Sequence, residues 1–338
     1  MTAVPPTTVL RHRDLRRPAV AAARLLAVAA VYLAVGRLGL LLQVVVAGAK
    51  VTPLWPPTGV AVTCLLLFGL GLWPGVALGA FLVIVTSGPP HLGSLGIVAG
   101  NTLAPVAACV MLHRAGFRIE LDRLRDGVAL VFLGALGAML ISSTIGTASL
   151  VFDGTLPAAG FWSTWSAYWT GDAMGVLVVT PLLLALRTVR LPTDPGPWDW
   201  VEPTLLLAGT AAVTVVATTS TLNLLFLVFP FLIWAALRFQ LIGAAPCVLL
   251  VSVLAIAAAT DHAGPFGHHG LVADMVVLQL LNGCAALTGL LLAAIIAEQR
   301  NTYQRIEQAC VQLAEVVHRL APSEATARWL PPEDGNRR

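Results

Sequence analysis

Charge is scarce in this sequence. Only 11% of its 338 residues are Asp, Glu, Lys or Arg, where a soluble domain carries about 25%. Hydrophobic residues make up 57%, and the mean hydropathy is +0.84. That balance excludes a water-soluble domain and points to a multi-pass membrane protein. Lysine is nearly absent: Lys50 is the one lysine among twenty basic residues. The five cysteines offer neither a metal spacing nor an exported pair, since Cys64, Cys109, Cys247 and Cys284 sit in apolar runs and Cys310 in a polar tail. Disulfides are therefore not expected. The sequence also lacks a phosphate-binding glycine loop, a nucleophile elbow, a zinc motif and a pair of carboxylates suited to hydrolysis. No catalytic residue, metal or cofactor is expected, and the chain does not read as an enzyme. The arginines form no patch that would suit nucleic acid.

Apolar runs long enough for membrane spans, which need about 20 residues, fall near 19–46, 57–71, 73–87, 94–112, 127–151, 162–186, 201–219, 222–237, 241–259 and 271–297. The second and third are short, and Gly69, Gly71 and Pro74 break the sequence between them. They read as two tilted helices or as a re-entrant hairpin, and both return the chain to the same side. The fold class expected is an all-α integral membrane protein, a polytopic bundle of about 8–10 transmembrane helices with a C-terminal cytoplasmic coiled-coil helix. Arg11, Arg13, Arg16 and Arg17 precede the first span with no small-residue cleavage signal, so that span reads as retained. With the N-terminus inside, Arg114, Arg118, Arg123, Arg125, Arg187, Arg190, Arg238 and the tail arginines all fall inside as well. Only Lys50 stays outside, which is the positive-inside pattern. Both termini are then cytoplasmic. Trp55, Trp162 and Trp165 lie at the outer interface, and Trp73, Trp198, Trp200 and Trp234 at the inner one.

Four regions follow: a basic N-terminus (1–18), the transmembrane domain (19–297), a signalling helix (298–321), and a polar, proline-containing tail (322–338) whose composition predicts disorder. In the third region Ile296, Tyr303, Cys310 and Val317 repeat every seven residues, as do Gln299, Ile306, Leu313 and Leu320. Two such stripes predict a left-handed coiled coil and a homodimer through 296–320. The other reading is an amphipathic helix lying on the inner leaflet.

One stretch stands out, FWSTWSAYWTGDAMGVLVVTPLLL from Phe161 to Leu184. It sets a single carboxylate, Asp172, in an apolar run, with Gly171 and Gly175 beside it and Pro181 beyond. A buried acid is expensive in a membrane and marks a functional site by default, while flanking glycines let a neighbouring backbone approach. Arg37 reads at a depth matching Asp172 and is its candidate ion-pair partner; the alternative is that Arg37 reaches out to the interface. Asn101, and the pair Gln279 and Asn282 on one face of the last span, are further polar groups at depth, for which interhelical hydrogen bonding is the default role. An outer loop holds Asp261, His262, His268 and His269, with Asp274 nearby, but in no recognised metal spacing.

Seven segments occur in an order that resembles the bacterial membrane-associated sensor (MASE) family of the first type: GRLGLLL, PLWPPTGVAV, LGLWPGVALGAFL, AGNTLAPVAA, WSAYWTGDAMGVLVVTPLLL, VFPFLIWAALRF and LLAAIIAEQR. The resemblance covers about residues 25–300. It implies a non-catalytic sensory module in the bacterial plasma membrane, of the kind joined to histidine kinases and diguanylate cyclases. Related sensor regions occur in a hexose-phosphate sensor kinase that pairs with a transporter-like protein. The family motifs map onto Trp55, Pro56, Pro57, Gly59, Asn101, Trp169, Gly171, Asp172, Gly175 and Pro181. Only about forty residues follow the last span, too few for a kinase or cyclase domain, so an effector in trans is expected. The expectation is thus a membrane sensor that binds its ligand through Asp172, Arg37, Asn101, Trp169, Gln279 and Asn282 and signals to a cytoplasmic or membrane partner. The alternative is a transporter or transporter subunit using the intramembrane polar residues Asp172, Asn101 and Arg37 as a substrate path, favoured if Asp172, Asn101 and Gln279 line one continuous cavity open to water.

Overall fold

A computed structural model describes residues 10–46, 49–189, 197–220, 224–261 and 271–320. The chain divides into two compact units, Met1–Ile296 and Ala297–Arg338. Among the described residues eight helices are long and apolar enough to cross a membrane, and the protein is a multi-pass membrane protein built as a helical bundle.

The first helix, α1 (Leu10–Gly39), ends earlier than hydropathy suggests. A 3-10 turn at Leu40–Leu42 follows, and then strands β1 (Val44–Val46) and β2 (Ala49–Val51) pair antiparallel. Three consecutive valines favour extended backbone over helix, so the expected span to residue 46 is corrected to end at 39. Arg37 consequently lies in the last turn of α1. The depth match with Asp172 fails for that reason.

Next come α2 (Pro56–Phe68) and α3 (Trp73–Ser87). Pro56 and Pro57 occupy the first turn of α2, where the missing N–H groups would have been unpaired anyway. Gly69, at φ +93°, turns the chain between the two helices, a conformation open to glycine at no steric penalty. At 13 residues α2 is only about 20 Å long. It is enclosed by protein, with Val60, Ala61, Val62 and Leu65 at 4% exposure or less, so it need not span the bilayer by itself.

Helix α4 (Leu92–Arg114) packs along the next span, which comprises α5 (Leu124–Ala129), a π-helical stretch (Leu130–Gly137) and α6 (Met139–Phe152). The following span runs from α7 (Phe161–Met174) through a π-helical turn (Gly175–Val179) to α8 (Thr180–Thr188). It is the most enclosed of the long spans. Helix α9 (Pro197–Thr219) packs on α10 (Val228–Thr260), and Arg238 pairs with Glu202 at 2.9 Å. Gln240 breaks α10 with φ 55° and ψ −142°, so α10 is two helical segments meeting where the sequence predicts a boundary between spans. The last helix, α11, runs Leu271–Leu320. Its membrane part packs on earlier helices, with Gly289 against Val248 and Ala244 and Leu291 against Gly127.

In the second unit Tyr303, Ile306, Leu313 and Val317 are exposed, at 72, 54, 65 and 58%. The expected tail (residues 322–338) and the histidines of the outer loop (262–270) lie outside the described residues.

Candidate functional site

The site starts from a seam of glycines. The extended segment Thr52–Trp55 lies directly on the backbone of α7 and the π-helical turn after it. Trp55 N–H donates to the Gly171 carbonyl at 3.0 Å. A Cβ on Gly171 would strike the Thr52 carbonyl oxygen, and one on Gly175 the Trp55 carbonyl oxygen. A Cβ on Gly59 would strike the Gly175 oxygen in turn. No larger residue permits this approach, which brings the first turn of α2 against Asp172. Thr180 Oγ1 donates to the Gly59 carbonyl at 3.2 Å and closes the far side of the seam.

Asp172 is 6% exposed. Thr58 Oγ1 donates to its Oδ1 at 2.8 Å, and the Ser142 hydroxyl lies against its Oδ2 as well as 3.0 Å from the Met139 carbonyl. Thr58 belongs to the first turn of α2, so the carboxylate sits at the positive end of that helix dipole, equivalent to about half an elementary charge. Among the described residues no basic side chain comes within ion-pair distance of it. The expected Asp172–Arg37 pair is therefore not formed. Arg37 Nη1 instead donates to the Thr86 carbonyl at 2.8 Å, in the last turn of α3, where backbone acceptors lack helical partners.

Asp172 and Arg37 nevertheless meet the same space. A cavity of about 680 Å³ is lined by both, by Asn101, and by Tyr32, Trp55 and Tyr168. That volume suits a small-molecule ligand, for which pockets span about 300–1,000 Å³. Its floor is buried: Asp172, Ser142, Thr52 and Tyr32 are all at 9% exposure or less. Its rim is open, formed by Arg37, Leu41, Gln43, the Ser87–Pro89 turn and His91, all exposed. The Tyr32 hydroxyl, although buried beside the Trp55 side chain, has no partner in hydrogen-bond geometry. Unpaired buried hydroxyls are uncommon and call for an explanation.

The remaining expected ligand residues lie elsewhere. Trp169 Nε1 donates to the Leu136 carbonyl at 2.8 Å, in the π-helical stretch of the neighbouring span, and the ring stacks on Trp165 at 5.7 Å. Gln279 Nε2 donates to the Pro53 carbonyl at 2.9 Å. Asn282 is fully buried with neither amide atom paired. None of these three lines the cavity. Of the family-motif residues, Trp55 forms cavity wall, Gly59, Gly171 and Gly175 form the seam, and Pro56, Pro57 and Pro181 start helices. Thr58, Ser142, Tyr32, Thr52 and Tyr168 had escaped sequence reasoning. Thr58 was readable, since it sits inside the WPPTG segment, between residues already singled out.

Among the described residues no group of three His, Cys, Asp or Glu side chains could hold a metal.

Comparison with curated proteins and with solved structures finds no match. The family model MASE1 matches residues 24–300, well over half of the chain, and spans the glycine seam, Asp172 and the whole cavity lining. The chain belongs to the MASE1 family of membrane-associated sensory input domains.

Proposed function

We propose that this chain is a sensory input protein of the plasma membrane, with both termini cytoplasmic, whose stimulus is a ligand bound in the Asp172 cavity. The observation that carries the reading is the combination of a buried acid and an unpaired buried hydroxyl, Tyr32, facing one ligand-sized space. The arginine distribution supports the orientation.

A hydrogen bond ties the cavity wall to the last helix. Thr52 and Trp55 line the cavity, and Pro53 between them accepts from Gln279 of α11. Ligand-driven movement of the 52–55 segment is passed through that bond to α11. The helix of residues 296–320, on which Tyr303, Ile306, Leu313 and Val317 are exposed, then pairs with a second copy and presents the signal to an effector in trans. No catalytic step is assigned to the chain.

Transport is the competing reading, and the joint presence of Asp172, Asn101 and Arg37 in one cavity supports it. Two observations weigh against it. Gln279 is not in the cavity, and one turn further along α6 and along the π-helical turn that follows α7 the side chains of Met139 and Val176 are completely buried. A path through the bundle needs an opening there.

The test is the rate of Cys310 disulfide formation in isolated membranes. Gly146 lines the cavity, and a Cβ there meets nothing nearer than Tyr168 Cδ2 at 3.6 Å, so Gly146→Val adds side-chain volume to the cavity wall beside Tyr168 without meeting backbone at its Cβ. Gln279→Leu cuts the link to Pro53. Both variants are expected to change the rate relative to the wild type. Unchanged rates in both would overturn the proposal.

A further inference from the structure

The cavity has one ionic group at its floor and nothing of the opposite sign beside it. Asp172 is held by two hydroxyls and the end of α2, which neutralise only part of a full negative charge. A buried charge without a counterion is costly in a membrane and is retained where function requires it. Arg37 and His91, the basic side chains of the lining, are at the exposed rim, and Arg37 is engaged by the end of α3. The rings around the acid add to the pattern. Tyr32 and Tyr168, two of the three tyrosines in the whole sequence, line the floor within electrostatic reach of Asp172, and Trp55 lines it with them. Aromatic faces attract cations, most strongly when water is excluded.

We infer that the ligand carries an ammonium group, which seats against Asp172 among the rings of Tyr32, Trp55 and Tyr168, while its apolar body lies along Leu40, Ile84 and Ile97. This rests on the reading of the cavity as the ligand site and names the ligand's chemical class. The unpaired Tyr32 hydroxyl is satisfied by a polar group of the ligand. No anion is suited to the floor, because it would meet the carboxylate at close range in a medium of low dielectric.

The test uses the full chain purified in detergent and three probes of one size: 2-phenylethylammonium, the neutral 2-phenylethanol, and the anion 3-phenylpropionate. Binding is read by intrinsic tryptophan fluorescence and by thermal shift. The ammonium probe is expected to bind saturably and the other two at least about tenfold more weakly. Asp172→Asn is expected to weaken the ammonium probe at least about thirtyfold, the loss typical of removing one partner of a buried charge pair, and to leave the neutral probe unaffected. Should Asp172→Asn fail to fold, Tyr32→Phe and Gly146→Val replace it: each is expected to weaken the ammonium probe. Preferential binding of the neutral or anionic probe, abolished by Gly146→Val, would overturn the ammonium assignment and leave the cavity as the ligand site. Binding of no probe, or binding unchanged in Gly146→Val, would overturn both.

Discussion

The glycine seam permits a prediction whose sign depends on packing alone. Gly146 and Gly175 are both helical glycines in the same bundle, and replacing either by Ala relieves a backbone-entropy penalty of about 0.5–1 kcal/mol. Their surroundings differ. At Gly146 the nearest atom to a new Cβ is Tyr168 Cδ2 at 3.6 Å, an ordinary contact. At Gly175 the new methyl collides with the Trp55 carbonyl oxygen, with the carbonyl carbon at 2.8 Å and Thr58 Cβ at 3.6 Å. Backbone cannot rotate out of the way as a side chain can, and overpacking of this kind costs about 1–3 kcal/mol. Gly146→Ala should therefore leave the apparent melting temperature in detergent unchanged or raised. Gly175→Ala should lower it and weaken the Thr58–Asp172 bond by pushing α2 away. Equal stability of the two variants would refute the seam as the element that positions Asp172.

Other outcomes follow from single contacts. Thr58→Val removes a hydrogen bond to a buried carboxylate and should destabilise the protein by about 1.5–3 kcal/mol, read as a drop in detergent melting temperature; no change would mean that Asp172 does not depend on Thr58. Asp172→Asn and Arg37→Gln should be additive within about 0.3–0.5 kcal/mol, because the two groups share no partner; a strongly non-additive double variant would restore the ion pair. Cysteines introduced singly at positions 50, 91 and 153 of a cysteine-free chain should label with an impermeant thiol reagent in intact cells, and one at 118 should not; labelling at 118 would invert the proposed orientation. Cys310 should crosslink to its counterpart in oxidised membranes and a cysteine at 308 poorly; the reverse preference would remove the paired-helix reading. Asp153 accepts from Thr155, whose side chain and N–H hold its carboxyl below the usual carboxylate range, and from the Gly93 N–H at 3.0 Å. A lowered pKa gives stability that is present above the ordinary value of about 3.9 and lost as pH falls through the folded value. Asp153→Asn should therefore be less stable than the wild type at neutral pH, with the gap closing at strongly acid pH; a constant gap would contradict the capping role.

The parts of the fold that could be read in the sequence were those carried by long-range composition. Span positions, the break at Gln240 beside Arg238 and the isolation of Asp172 between two glycines all follow from hydropathy and from small-residue spacing. The sequence was misread where short-range preference overrode hydropathy. Val44–Val46 look like the end of a span, but a β-branched triplet pairs as a strand; that shortened α1 and moved Arg37 into its last turn. Most hydroxyls at the site carry no distinguishing mark in the sequence. Thr63, Thr102 and Ser143 each donate to the carbonyl four residues back, the default for such residues inside helices. Nothing in the sequence separates them from Ser142, which lies against Asp172; Thr58 is set apart only by its place inside WPPTG. Tyr32 was likewise invisible, because its significance is an unpaired hydroxyl and pairing is a property of the fold.

The central claim is that the Asp172 cavity takes a ligand and does not form part of a conduction path. An experimental density map of the protein extracted with its native lipid tests this most directly. The account predicts compact non-protein density against Asp172 and the Tyr32 hydroxyl, with closed packing at Met139 and Val176 beneath it. A cavity filled by a lipid chain, or continuous water running past Met139 and Val176 to the other end of the bundle, would contradict it.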